Sequence, residues 1–190
     1  MQTDHRPQPG RTYLDEHGRY QEGQGRPEPP MGDSEVATLL GFLERQRATF
    51  AWKTSGLDAA GLRATLGTSS MTLGGALKHL ARFEDDMSTE WMYEREQLPP
   101  WNAIDWNAQH DWDWRSAAGD TPEQLYTGWT EAVARCRALM DEALADSSGS
   151  AARRLRYILP NMIEEYARHN GHADLIRESV DGLVGHDPPE

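Results

Sequence analysis

Cysteine is almost missing from this chain of 190 residues, which contains only Cys136. A single cysteine cannot form an intrachain disulfide, and it also excludes the zinc sites that are built from several cysteines. Cys136 lies between Arg135 and Arg137, whose charges would favour a reactive thiolate. The alternative, which we expect, is a small and half-buried residue on a helix.

Long apolar runs and clustered positive charge are missing as well. No segment approaches the roughly 20 apolar residues that span a bilayer, and residues 1–11 lack the apolar core of a signal peptide. We therefore expect a cytoplasmic protein without a membrane partner. Lys and Arg number 19 against 31 Asp and Glu, so the formal net charge is -12. This balance argues against a nucleic-acid partner, because phosphate binding needs clustered basic side chains.

The N-terminal 32 residues differ in composition from the rest. They are rich in Pro, Gly, Gln and charge and show no apolar periodicity, so residues 1–32 are predicted to form an extended or disordered tail. Within it, Pro27–Pro30 is predicted to drape over the fold in extended form. Residues 33–190 are predicted to form the folded domain.

Four segments of that domain carry apolar residues at helical spacing. The first is predicted over Ser34–Thr54, capped by Asp33 or Ser34. The second is predicted to begin at about Met71, capped by Ser69 or Ser70, and the third at Pro122, capped by Thr121. The fourth is predicted to run from about Ala152 or later to Ser179, and Pro160 either kinks this helix or marks its start. Mostly short links and the lack of a strand pattern indicate an all-α four-helix bundle.

The connection between the second and third helices is unusual. Leu98–Gly119 contains Trp101, Trp106, Trp112 and Trp114 among several aspartates. An exposed aromatic cluster is unfavourable, so these rings need an apolar surface to cover. We expect the segment to fold back as a lid over one end of the bundle. A simple plug of that end and a contact with a second subunit are the alternatives.

The last helix carries the strongest chemical motif. Glu165 and His169 are four residues apart and share one helical face, and His172 falls in the same narrow wedge. His79, on the second helix, lies among apolar residues and is predicted to point inward. His79, Glu165 and His169 are therefore predicted to bind one divalent metal ion, zinc in the first place, with an open coordination position. Hydrogen-bonded core histidines and a surface Glu–His pair are the ordinary alternatives.

Three motifs resemble the DinB-like superfamily, in particular its branch related to mycothiol-dependent maleylpyruvate isomerase. They are Thr38–Leu43 (TLLGFL), Leu73–Leu80 (LGGALKHL) and Ile163–Asp174 (IEEYARHNGHAD), and the likeness extends from about Pro29 to Gly182. In that family a helical His and a later Glu-x-x-x-His or His-x-x-x-His pair hold a divalent metal, and the matching positions are His79, Glu165 and His169. Many relatives carry a further His where this chain has Asn161, and His172 either supports the site or replaces His169.

The resemblance also implies a fold and an activity. The family fold is an antiparallel four-helix bundle with a crossover connection, and members often form homodimers. Members with known activity transfer low-molecular-weight thiols, so the expected function is a metal-dependent transfer of mycothiol to an electrophilic small molecule, or a thiol-dependent isomerisation. The alternatives are a metal-binding bundle that catalyses hydrolysis and a stress-associated binding protein without turnover.

Overall fold

A computed structural model describes residues 26–32 and 34–185. The regular secondary structure of this part of the chain consists of helices alone. Its helices are α1 (Glu35–Thr54), α2 (Ala59–Arg63), α3 (Leu73–Asp85), α4 (Trp112–Ser116), α5 (Pro122–Ala145) and α6 (Ser150–Asp181). A π-helical turn, Asp86–Trp91, extends α3, and short 3-10 turns lie at Trp101–Ala103 and Ala117–Gly119. None of the described helices is long and apolar enough to cross a membrane.

The helix ends follow from local side-chain chemistry. The Ser34 hydroxyl accepts from the backbone N–H of Ala37, as predicted. Thr121 and Gln124 form a reciprocal capping box at the start of α5, also as predicted. The cap of α3 is Thr72, not Ser69 or Ser70, so this helix starts two residues later than predicted.

The C-terminal helix is one continuous element. It starts at Ser150, before the predicted start, and includes Pro160 in its interior. It ends at Asp181, and the following Gly182 has a φ of 78°, in the left-handed region that glycine adopts without strain. Pro160 is exposed, so its ring lies on the solvent side of the helix.

The contacts between the long helices give their relative directions. Along α1 and α6 the residue numbers rise together, so these two helices run in the same direction; the pairs are Glu35–Arg156, Gln46–Asn170 and Lys53–Asp174. The same holds for α5 and the segment from α3 to Glu94, at Gly74–Leu125, Asp85–Arg135 and Tyr93–Leu139. Between this segment and α6 the order is reversed, at His79–Glu165 and Glu94–Arg154.

The Trp-rich segment forms the return connection between α3 and α5. Because these helices run in the same direction, the chain must travel back along α3 before α5 can begin. Trp101 donates to Asp85, Trp106 lies against Arg82, and Trp114 lies against Gly75. The segment therefore lies along the side of α3, and the predicted lid over one end of the bundle is not what the chain forms.

The N-terminal proline segment packs on α1. Pro30 is buried, and its carbonyl accepts from the Thr38 hydroxyl at 3.3 Å. Gly41 makes room for it, because a Cβ at that position would lie 2.5 Å from the Pro30 ring. Residues 26–30 have no helical structure and lie along α1, in line with the predicted draping. The remainder of the predicted tail, residues 1–25, lies outside the described residues.

The centre of the fold contains charge as well as apolar side chains. Arg47 and Glu84 are fully buried and hydrogen-bonded to each other, with 2.8 Å between Arg47 Nε and Glu84 Oε1. The Tyr166 hydroxyl donates to Glu84 at 2.6 Å and accepts from Trp129 Nε1 at 2.9 Å. Glu44 accepts from Arg47 at 2.6 Å. This network joins α1, α3, α5 and α6. It also holds Tyr166 in place, the residue that follows Glu165 in the sequence.

Candidate functional site

The structure brings His79, Glu165 and His169 together, from α3 and α6. The Oε1 atom of Glu165 lies 3.0 Å from Nε2 of His79 and 3.1 Å from Nε2 of His169. One ligand atom from each residue lies within 4.8 Å of the other two. His169 is buried, and His79 and Glu165 are partly exposed, so the cluster lies at the edge of the core and can be reached from solvent.

Electrostatics favour a charged carboxylate in this cluster. Hydrogen bonds from His169 and His79 hold the pKa of Glu165 well below its ordinary value, although partial burial acts in the opposite direction. Burial acts to lower the pKa of His79, but its hydrogen bonds to Asp113 and Glu165 raise it above the ordinary histidine value. The three groups therefore form one coupled electrostatic unit.

The other ring nitrogen of His79 contacts Asp113, a residue for which the sequence predicted no role. Asp113 Oδ2 lies 2.9 Å from His79 Nδ1, and its side chain is only 1% exposed. Burial acts to raise the pKa of Asp113, but the contacts with His79 and Arg82 and the backbone N–H of Trp114 hold it below its ordinary value. An acidic residue beside tryptophans gives no sequence signal for this role, because its position depends on the path of the return connection.

Two aromatic contacts enclose the cluster on the side of the return connection. The Trp114 ring stacks on His79, with 4.9 Å between centroids and 28° between planes. The same ring lies 5.3 Å from the His169 ring. The Trp-rich segment thus supplies a wall of the site through Trp114.

The two remaining candidates lie outside the three-residue cluster. His172 Nδ1 lies 3.4 Å from His169 Nδ1, whereas the nitrogen of His169 that faces Glu165 is Nε2. This favours the supporting role over replacement of His169. Asn161 donates to the backbone carbonyl of Tyr157 at 2.8 Å, within its own helix.

The donor set fits a divalent metal ion. Two imidazoles and one carboxylate are a common ligand set of catalytic zinc, which keeps a further position for water or substrate. Both histidines direct the same nitrogen, Nε2, toward the same carboxylate oxygen. In His79 the Nδ1 atom is occupied by Asp113, so Nε2 is the nitrogen left for a metal.

Cys136 lies on a helix, as expected, but in the core and not half-buried as predicted. It is fully buried, and burial followed by the Glu84 charge raises the pKa of its thiol well above the ordinary value. Its flanking arginines bind elsewhere: Arg135 pairs with Asp85 and Arg137 with Glu44. A buried neutral thiol is a poor nucleophile.

Comparison with known proteins identifies the family. Searches of curated proteins and of solved structures gave no match to this chain. The family model described as mycothiol-S-transferase matches residues 38–182, which include all three clustered residues and the whole return connection. The match covers most of the chain, and we conclude that this protein belongs to the mycothiol-S-transferase family.

Proposed function

We propose that this protein is a metal-dependent transferase that activates mycothiol for attack on an electrophilic small molecule. The observation that carries the proposal is the convergence of His79, Glu165 and His169 in a chain of the mycothiol-S-transferase family. These three residues are proposed to hold the metal, zinc in the first place. A thiol-dependent isomerisation uses the same activated thiol and differs only in what the electrophile does afterwards.

The site indicates what a metal ion and what the protein side chains would each contribute to thiol activation. His79, Glu165 and His169 would hold a divalent cation, which would lower the pKa of a coordinated thiol so that the thiolate is available near neutral pH. Glu165 supplies one negative charge and the histidines supply neutral donors. Trp114 excludes water from one side of the histidine pair, which strengthens electrostatic interactions there.

The transfer itself needs no nucleophile from the protein. The S–H proton passes to solvent and a sulfur lone pair forms the new S–C bond. The electrophile then either releases its leaving group with the electron pair of the broken bond, or takes up a proton from solvent after addition. This fits the chemistry of the chain, whose single cysteine is buried with a raised thiol pKa.

The family match also supports proposals for the helix arrangement, the domain boundaries, the location and the oligomeric state. The helix directions favour a DinB-like four-helix bundle of α1, α3, α5 and α6, with the Trp-rich segment as its crossover connection. We propose residues 1–32 as a tail, residues 33–190 as the bundle domain, a cytoplasmic location and a homodimer. Sedimentation of the purified protein tests the last point.

The activity is tested with purified protein, mycothiol and a fluorogenic haloalkyl bimane as electrophile. Removal of metal with a chelator should abolish conjugation above the uncatalysed rate, and added zinc should restore it. Glutathione and cysteine replace mycothiol in parallel reactions, and we expect the fastest conjugation with mycothiol. The variants His79→Ala, Glu165→Gln and His169→Ala should lose both zinc and conjugation.

Matched controls separate ligand loss from general damage. His110 is an exposed histidine of the return connection, and Glu164 is an exposed neighbour of Glu165 that pairs with Arg168. His110→Ala and Glu164→Gln should bind zinc and transfer mycothiol like the wild type. Wild-type conjugation by the His79 or His169 variant, or by the metal-free protein, would contradict the proposal.

A further inference from the structure

The return connection places a buried carboxylate against a candidate metal ligand. Asp113 lies in the first turn of the short helix α4, yet its side chain is 1% exposed. Taking an ionised carboxylate out of water is unfavourable unless charged or hydrogen-bonding groups replace the water. Here Asp113 Oδ2 contacts His79 Nδ1 at 2.9 Å and Arg82 Nη1 at 3.3 Å, and Oδ1 accepts from the Trp114 backbone N–H at 3.0 Å.

Arg82 is itself fixed, so it can fix Asp113. Its guanidinium carbon lies 3.6 Å from the centroid of the Trp106 ring, and its Nε donates to Asp86 at 3.1 Å. Arg82 lies on α3, as does His79, while Asp113 comes from the return connection. The carboxylate is thus held between two groups of one helix, and its orientation is set by both.

The next residue restrains the plane of the same imidazole. Trp114 stacks on His79, and it can approach α3 only because position 75 is glycine. A Cβ at Gly75 would lie 2.6 Å from the Trp114 ring, closer than carbon atoms pack. Glycine is less favourable than alanine inside a helix, so Gly75 gives up helix propensity to make room for the indole.

We propose that Asp113 is a positioning residue for the metal ligand His79. Its carboxylate accepts the Nδ1–H proton, which leaves Nε2 of His79 as the metal-binding nitrogen, and Trp114 on Gly75 restrains the ring plane. The inference rests on the proposed metal site, and it adds a residue that does not touch the metal. Carboxylates that hold a metal-ligating histidine fix its tautomer and orientation and raise its basicity.

Zinc affinity tests the inference without any measurement of turnover. Each protein is stripped of metal and titrated with zinc in competition with a chromophoric chelator. Asp113→Ala should bind zinc about 10–100-fold more weakly than the wild type, as is typical when such a partner is removed. Asp113→Asn keeps a carbonyl that can accept from Nδ1–H, and it should lose less affinity. Asp111→Asn is the control, because Asp111 is partly exposed and pairs with Arg115.

Spectroscopy separates a positioning role from simple loss of stability. In cobalt-substituted protein the visible absorption bands should shift in Asp113→Ala and stay unchanged in Asp111→Asn. In zinc-loaded wild-type protein labelled with nitrogen-15, His79 should carry its proton on Nδ1, with His79→Gln used to assign the signals. This last measurement needs no Asp113 variant, so a His79 that binds zinc through Nδ1 would overturn the inference even if Asp113→Ala fails to fold.

The outcomes distinguish two failures. If the wild type binds no zinc, the proposed function is wrong and the inference fails with it. If the wild type binds zinc but Asp113→Ala shows the same affinity and the same cobalt spectrum, only the inference is overturned. Metal coordination through Nδ1 of His79 overturns it as well.

Discussion

Replacing Glu84 with alanine should strongly destabilise the fold. Glu84 and Arg47 are both fully buried, and Glu84 accepts from Arg47 Nε at 2.8 Å and from the Tyr166 hydroxyl at 2.6 Å. The variant leaves Arg47 with Glu44 as its neighbouring carboxylate and takes away the acceptor of the Tyr166 hydroxyl. Removing one partner of a buried ion pair costs about 3–5 kcal/mol, because a charge stays buried without full compensation.

This loss is large on the scale of the whole protein. For a chain of this size about 1 kcal/mol corresponds to roughly 2–4 °C in melting temperature, so the melting temperature of Glu84→Ala should fall by about 6–20 °C. Circular dichroism against temperature and urea measures the effect. Metal-free protein is used, because a bound metal would add its own stabilisation.

Two further variants define what the result means. Glu142→Ala removes an exposed carboxylate that is 3.5 Å from Arg95, and it should change stability by about 0.5 kcal/mol or less. The double variant Arg47→Met with Glu84→Leu removes both charges and should recover part of the loss, because no unpaired ion stays buried. If Glu84→Ala has the same melting temperature as the Glu142→Ala control, the reasoning is refuted.

Three other predictions follow from the contacts. Gly128→Ala should raise the melting temperature, because a Cβ at this position meets nothing within 4 Å. Gly75→Ala should lower the melting temperature, because its Cβ would lie 2.6 Å from the Trp114 ring. Thermal melts of the two variants test both expectations. Deletion of residues 1–25 should leave the melting temperature nearly unchanged, since that segment has no apolar periodicity, and a large drop would show that it packs as a structural arm. Trp112→Ala should lower stability but leave zinc affinity unchanged, because the Trp112 ring packs against Trp101 and Trp106 and not against the histidines. Zinc titration of the folded variant tests this expectation, and weaker zinc binding would contradict it.

Much of the site could be predicted because helices have a fixed repeat. Glu165 and His169 share a face at their spacing, and the structure gives their Nε2–Oε1 pair a distance of 3.1 Å. His79 was predicted to face inward from its apolar neighbours, and it contacts Glu165. The caps Ser34 and Thr121 were also predictable, because short polar side chains at these positions accept the first free backbone N–H groups.

Other features depended on tertiary structure and left no local pattern. Asp113 becomes a partner of His79 only because the return connection runs along α3. The π-helical turn Asp86–Trp91 inserts one residue into a helix whose apolar spacing looks regular. Glu44 and Arg47 interrupt the apolar stripe of α1, yet both are buried because charged partners from α3 and α5 meet them there.

The pairing of α1 with α6 has a consequence for synthesis of the chain. These are the first and last described helices, and α6 carries both Glu165 and His169. While the ribosome is still translating α6, the face of α1 that it covers stays exposed, as is typical of intermediates that chaperones bind. His79 and its partner Asp113 have already been synthesised, but without α6 the cluster lacks Glu165 and His169. The three candidate ligands can therefore come together only after His169 has been synthesised, and a chain that stops before this residue lacks part of the proposed metal site.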